Sequence, residues 1–326
     1  MRRRAILAGL GATVGWPLVA GAQQQRGVPV VGFLTTRSQE EAADHRAAFL
    51  RGLERAGYVE ERNVHVEYRW AGGRNERLGA FVAELARLPV SVLVRGGDPS
   101  AAAAKAAAGA TPIVFMIAED PVRAGLVASF NNPQGNATGI SLITSALGSK
   151  RLDVMREMVP GANLVALLVN PDNPSAETHA EEVRAAAQAL GRRLVVLQSR
   201  SAPDFAAAFE TLRNERAGAL VVQGDPFFDS ERNALIALAR RHGVPAIYHI
   251  REFPVAGGLV SYGPSLVDGY EQLGGIVGRV LKGERPADLP VMRPTKFELV
   301  INMKTANALR VEVPLQLQQL ADEVIE

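Results

Sequence analysis

A sixteen-residue unit occurs twice in this chain. Residues 112–127 read PIVFMIAEDPVRAGLV and residues 245–260 read PAIYHIREFPVAGGLV. They align without a gap and agree at eight positions, among them Pro112/Pro245, Glu119/Glu252, Pro121/Pro254 and Gly125/Gly258. Each copy is an apolar run that stops at an acidic residue near a proline and restarts at Gly-Leu-Val or its equivalent. That pattern reads as a buried strand, a polar loop at its carboxyl end, and the next element. A second pair of segments, residues 93–99 and 220–226, ends both times in Gly-Asp-Pro. Two matches in the same order are too far apart for a solenoid repeat of roughly 20–50 residues. They point to a duplicated domain: two similar α/β lobes, each offering one such loop to a shared cleft.

The surrounding chain supports that reading. Residues 28–34 form a continuous Val-rich run, the pattern of a strand buried on both faces. Apolar residues at 43, 47, 50, 53 and 56 predict a helix over 38–56, closed by Gly57. Strands follow over 64–70, 90–94 and 112–117, with helices over 76–88 and 101–108 between them. After Gly139 the cycle begins again. Strands are predicted over 164–169, 194–197 and 219–222, and helices over 147–159, 176–190, 204–214 and 230–242. The second copy of the unit comes next, then a helix over 267–281, a strand over 297–302 and a helix over 304–309. Strand and helix alternating through short connections is the mark of a parallel sheet covered by helices.

The first 22 residues read as an export signal: Arg2-Arg3-Arg4, an apolar stretch over 5–19, and Ala20-Gly21-Ala22 for cleavage near Ala22. The apolar stretch is short for a membrane span, which needs about 20 residues. Arg3-Arg4-Ala5-Ile6-Leu7 resembles the twin-arginine pattern with Ile where Phe is usual, and an ordinary Sec signal fits as well. The chain has 36 Lys and Arg against 34 Asp and Glu. Removing the three signal arginines leaves 33 against 34, a balance that gives no reason to expect nucleic acid or an anionic membrane as partner. With no cysteine, disulfides, thiolate metal sites, a cysteine nucleophile and a lipid-modified amino-terminal cysteine are all excluded.

Ligands of open parallel sheets bind outside the carboxyl ends of the strands. The candidates there are Thr36, Ser100, Asp120, Asn170, Ser175, Asp225, Phe227 and Tyr262. Asp120 and Asp225 can accept from an ammonium or from hydroxyls. Ser100 and Ser175, at helix starts, suit a carboxylate. Phe227 and Tyr262 can flank a planar or apolar part. Asp225 and Ser175 would equally serve as helix caps, and Phe227 and Tyr262 as core aromatics. Where the two copies of the repeated unit differ, Asp120 against Phe253 and Met116 against His249, ligand choice is the expected reason. Of the five histidines, His45, His179 and His242 fall on predicted helices and are expected at the surface; His249 is the one to test. No H-E-x-x-H, G-x-x-x-x-G-K-[ST] or G-x-S-x-G motif occurs. Gly9-Leu10-Gly11 with Gly15 lacks the third glycine of a dinucleotide fingerprint and lies in the signal. No catalytic residue, cofactor or metal is therefore expected.

Residues 47–70 (AAFLRGLERAGYVEERNVHVEYRW), 120–139 (DPVRAGLVASFNNPQGNATG), 164–174 and the tail FELVINMKTANALRVEVP…ADEVIE resemble the ABC-transporter substrate-binding protein family that includes tryptophan- and tyrosine-type binders. The likeness covers nearly all of the chain after the signal. It implies a type I periplasmic-binding-protein architecture: two Rossmann-like lobes with parallel sheets joined by a three-stranded hinge. The first lobe is expected over 27–140 plus about 264–290, the second over 141–262 plus about 295–326. By position, the family's ligand contacts map to Thr36, Ser100, Asp120, Ser175 and Asp225. Glu61 stands where the family usually has Gly, Asn131-Asn132 replaces a loop that usually contains Arg, and Leu309-Arg310 replaces a usual Leu-Gly pair. The expected protein is a periplasmic, monomeric, non-enzymatic solute receptor. It would capture a small polar molecule, first an amino acid or related carboxylate, and deliver it to an ABC permease. A ligand-sensing partner of a membrane receptor and an exported α/β enzyme are the alternatives; the latter needs a nucleophile–base pair or a metal set.

Overall fold

The computed structural model describes residues 27–97, 109–142 and 147–326. The expected export signal, Ser100 and the helix expected over 101–108 lie outside the described residues. The first sheet contains β1 (Val30–Thr35), β2 (His65–Trp70), β3 (Val90–Gly96), β4 (Ile113–Ile117) and β5 (Ala137–Ser141), all parallel, in the order β2-β1-β3-β4-β5. Helices α1 (Ala43–Arg55) and α2 (Leu78–Ala86) cover it. The second part runs through α3 (Gly148–Met158), β6 (Leu164–Val169), α4 (Ala176–Ala189), β7 (Arg193–Gln198), α5 (Asp204–Asn214) and β8 (Ala219–Val222). It continues with α6 (Pro226–Ser230), α7 (Arg232–Arg241), β9 (Ala246–Tyr248), α8 (Glu252–Val255), β10 (Val260–Pro264) and α9 (Leu266–Leu281). Last come β11 (Phe297–Asn302), α10 (Met303–Leu309), α11 (Leu315–Leu320) and β12 (Glu323–Ile325). The second sheet has the order β12-β11-β10-β9-β8-β6-β7, parallel except where β11 meets β10.

The apolar runs sit where two-faced burial demands them. All six residues of β6 are buried, and alternate side chains point to opposite faces of the sheet. Ala166 and Leu168 join a core with Phe205 and Phe209 of α5 and Leu235 of α7. Val165, Leu167 and Val169 join a separate core with Leu152 of α3 and Val183 of α4. The first core continues without a break into the first lobe, through Phe33, Val94 and Met116 to Phe49 of α1 and Leu273 of α9.

Three segments cross between the sheets. The chain leaves β5 for α3. It returns after β10, where α9 leaves the second sheet and packs on α1. It then crosses back after Met292, whose N–H donates to Gly139 O at 2.8 Å and whose carbonyl accepts from Ser141 N at 3.0 Å. The α1–α9 packing is close enough to require glycine. A Cβ on Gly274 would lie 2.1 Å from Phe49 O, and one on Gly52 would lie 1.9 Å from Glu271 O.

Several local expectations change. Helix α1 begins at residue 43, not 38, and residues 39–42 form turns behind the reciprocal Ser38–Glu41 bonds. The helix expected over 230–242 is α7, and a short helix not expected, α6, precedes it because the Asp225 carboxylate accepts from Phe227 N and Phe228 N. His45 and His179 were expected at the surface but are each only 2 % exposed. Their helix faces meet the other lobe and α3 respectively, coverage that helical spacing alone does not reveal. No described helix is long and apolar enough to cross a membrane.

Candidate ligand-binding site

The carboxyl ends of the strands of both sheets face one another across a cavity of about 560 Å3, its mouth included. From the first lobe it is lined by Thr35, Thr36 and Arg37 at the end of β1, Gly96 and Gly97 at the end of β3, Met116 and Ala118 around the end of β4, and Leu142 after β5. From the second come Gly224, Asp225, Pro226 and Asp229 after β8, and His249 and Ile250 after β9. Leu266 and Tyr270, on the first turns of α9, complete the wall. Two glycines bring aromatic rings up to the backbone. The Tyr270 hydroxyl occupies the space beside Gly96, and the His249 ring the space beside Gly224, each within 3 Å of where a Cβ would stand.

The polar groups divide into those already satisfied and those left open. Asp225, 3 % exposed, accepts from Asn170 Nδ2 at 3.2 Å, Asn173 Nδ2 at 2.7 Å, Phe227 N at 2.9 Å and Phe228 N at 3.2 Å. Burial raises its carboxyl pKa, against the pull of these donors. Asn173 Oδ1 in turn accepts from Ser175 Oγ at 2.8 Å, and Gln223 Nε2 donates to Ser175 Oγ at 3.3 Å. Such a network is self-contained and stiff.

Asp229 is arranged differently. Its Oδ2 accepts from Arg37 Nη2 at 2.7 Å. Its Oδ1 lies 3.2 Å from His249 Nε2, without the alignment of a hydrogen bond, and remains a buried acceptor without a hydrogen-bond partner. Arg37 belongs to the first lobe and Asp229 to the second, so this pair spans the cleft. Two others do the same: His45 Nε2 with Glu252 Oε1 at 3.0 Å, and Arg232 Nη1 with Glu41 Oε1 at 2.7 Å. Burial pushes the Glu252 carboxyl up, but the His45 hydrogen bond and the charge of Arg37 outweigh it and hold the pKa at about 2. Burial lowers the His45 pKa in spite of Glu252. The His45 ring stacks on Tyr270 at 4.8 Å.

Of the residues expected at the site, Thr36 and Asp225 line the cavity. Asn170 and Ser175 stand behind Asp225 in its network. Phe227 lies beside the cavity and stacks on Phe205 at 5.5 Å, against the core. Asp120 turns away from the cavity: its Oδ1 accepts from Val122 N at 2.7 Å and Arg123 N at 3.3 Å, fixing the corner after β4. Tyr262 packs against the core on the α3–α4 face, and its carbonyl accepts from Arg151 Nε at 3.0 Å. Met116 and His249, equivalent positions of the repeated unit, both line the cavity, whereas Asp120 and Phe253 do not. Arg37, Asp229 and Tyr270 went unrecognised in the sequence. One signal for them existed: Arg37, Glu41 and His45 recur every four residues, and all three make pairs across the cleft.

Comparison with known proteins agrees with this geometry. The family model for ABC transporter substrate binding proteins matches residues 28–325. A tyrosine-binding protein of Clostridioides difficile (strain R20291) is 25% identical over 268 residues, 81% of this chain and 76% of that protein. Among solved structures, the L-Trp complex from Streptococcus pneumonia has a TM-score of 0.84 at 22% identity, covering 92% of this chain and all of that one. The ligand-free, open structure of a substrate-binding protein with adhesive properties from Clostridium difficile has a TM-score of 0.69 at 21% identity, covering 91% and 99%. The fold is that of type I periplasmic-binding proteins, and its relatives are binding proteins, not enzymes. The chain belongs to the ABC transporter substrate-binding protein family.

Proposed function

We propose that this protein is the exported solute receptor of an ABC transporter, holding an amino acid or a closely related carboxylate between its lobes and passing it to a permease. The cavity carries this reading. It lies where the strand ends of two lobes meet, and each lobe supplies both polar and apolar wall. Arg37 offers a cation for a carboxylate, and Thr36 lines the same wall. Met116, Leu142, Ile250 and Leu266 offer apolar surface for a side chain of modest size. The aromatic amino acids named for two of the relatives are consistent with this. The signal-like first 22 residues support export, and the protein is expected to work as a monomer.

Closure follows from differential affinity: the ligand favours the state in which both lobes touch it. A thermal-shift screen with the twenty common amino acids, sugars and nucleobases tests the ligand class. A ligand at about 100 times its Kd stabilises by about 2.7 kcal/mol, so at least one amino acid is expected to raise Tm clearly. A rise with a sugar or nucleobase and with no amino acid would contradict the proposal. Delivery is tested separately, by ligand uptake into vesicles holding the permease with and without this protein.

A further inference from the structure

We infer that His45 is a proton-sensitive latch: closing the lobes expels a proton from its imidazole, so that mild acid opens the cleft and loosens the ligand. The inference rests on the receptor reading above and adds to it a condition for release.

The lobes are closed on one another in this structure. Arg37–Asp229, His45–Glu252 and Glu41–Arg232 all pair across the cleft, and Arg123 Nη2 of the first lobe donates to Thr178 Oγ1 of the second at 2.7 Å. His45, on α1, is only 2 % exposed, and its Nε2 lies 3.0 Å from Glu252 Oε1 on α8. Its ring stacks on Tyr270, which lines the cavity. The latch and the ligand therefore share a wall.

The closed cleft has room for one imidazole hydrogen. Glu252 is ionised, with a carboxyl pKa of about 2, so Nε2 carries the hydrogen that joins the two groups. Nδ1 is buried with no hydrogen-bond partner. A second proton would create a buried N–H with nothing to accept it, on a ring that also feels the Arg37 cation. Burial, with Arg37, lowers the imidazole pKa against the pull of Glu252. Opening parts His45 from Glu252 and admits water, which returns the ring towards its ordinary value near 6.5. The contribution to closure is thus complete above about pH 6.5 and is lost as pH falls.

The neighbouring charges do not reverse this. Asp229 of α6 is bonded to Arg37, Glu41 to Arg232 of α7, and Arg251 beside α8 to Glu323. Burial pushes the Tyr270 hydroxyl pKa up, so it stays protonated in acid. Glu252 works in the same direction at lower pH, where its carboxylate falls from the ordinary 4.5 towards about 2. His249, the other imidazole at the cleft, has Asp229 beside it in its own lobe, and opening does not part them.

The test is calorimetric titration of the full protein with the twenty common amino acids at pH 7.5. The tightest binder other than histidine is then titrated at pH 7.5 and 5.5 in buffers of differing ionisation heat, which counts the protons released. The wild type is expected to bind up to about tenfold more weakly at pH 5.5, releasing close to one proton there against about 0.1 at pH 7.5. H45Q, whose amide can still donate to Glu252, is expected to release no proton and to lose the affinity change. An unchanged Kd with no proton released by the wild type overturns the latch and leaves the receptor reading intact. Full proton release by H45Q assigns the proton to another group and also overturns the latch. Absence of binding by every amino acid overturns the receptor reading, and the latch with it. If H45Q fails to fold, proton NMR of the wild type decides. The His45 imidazole is expected to titrate near pH 6.5 in the free protein and not above pH 5.5 in the complex; the same titration in both overturns the latch.

Discussion

Glu61 and Arg310 hold backbone conformations that suit glycine, with φ of 61° and 56°. A side chain in the left-handed region costs about 1–2 kcal/mol, offset in part by the greater chain entropy that Gly loses on folding. The Glu61–His65 pair is exposed, at 74% and 45%, and contributes little. Glu61→Gly and Arg310→Gly should therefore each stabilise the protein by up to about 1 kcal/mol, read as a higher urea midpoint with unchanged slope. A lower midpoint for both would contradict the backbone assignment.

His179 makes a pH-dependent contribution. Burial, followed by the nearby charges of Arg151 and His249, pushes its imidazole pKa down to about 3. The unfolded chain takes up the proton near pH 6.5, so the contribution is complete above that pH and is lost as pH falls towards 3. By pH 5 the loss should reach about 2 kcal/mol. Urea unfolding at pH 7.5 and pH 5 should show a smaller drop for His179→Gln than for the wild type. Equal drops would mean that the imidazole is not held neutral.

At the scale of elements, the segment leading into α1 and the loops after β8 and β9 form a clasp. Arg37, Glu41 and His45 meet Asp229, Arg232 and Glu252, and Arg37–Asp229 and Glu41–Arg232 are ion pairs of opposite orientation across the cleft. Reversing the middle charge, as in Glu41→Arg, sets two cations against each other. Small-angle scattering of the unliganded variant should give a larger radius of gyration than the wild type, and added ligand should shrink it. An unchanged radius would show that the strip does not bias closure. Helix α9 carries Leu266 and Tyr270 into the cavity and is seated by glycine against α1. Gly274→Ala would drive a methyl group into backbone. It should cost about 1–3 kcal/mol and weaken ligand binding by displacing Tyr270; full stability and affinity would contradict that seating.

Some of this was legible from residues alone, because local patterns carried it. The Val- and Leu-rich runs of β1, β4 and β6 mark strands buried on both faces, and the repeated unit marks equivalent strand-loop corners in two lobes. The antiparallel β11 has no signature in a six-residue apolar run. The site was half legible. Loops at strand ends could be named, and Thr36, Asp225, Met116 and His249 were found that way. Yet Asp225 reads identically in sequence whether it caps a helix or meets a ligand, and here it caps α6 while lining the cavity. The Arg37–Asp229 pair joins residues 192 positions apart, and no periodicity connects them.

For the whole molecule, the central claim is that one small molecule binds per chain, in the cavity between the lobes. Native mass spectrometry with the best amino acid from the screen tests it most directly, comparing the wild type with Ala118→Phe, which places a ring in the cavity. The account predicts a one-to-one complex for the wild type and none for the variant, with the variant still folded. Retention of the complex by a folded Ala118→Phe would place the ligand elsewhere and contradict the account.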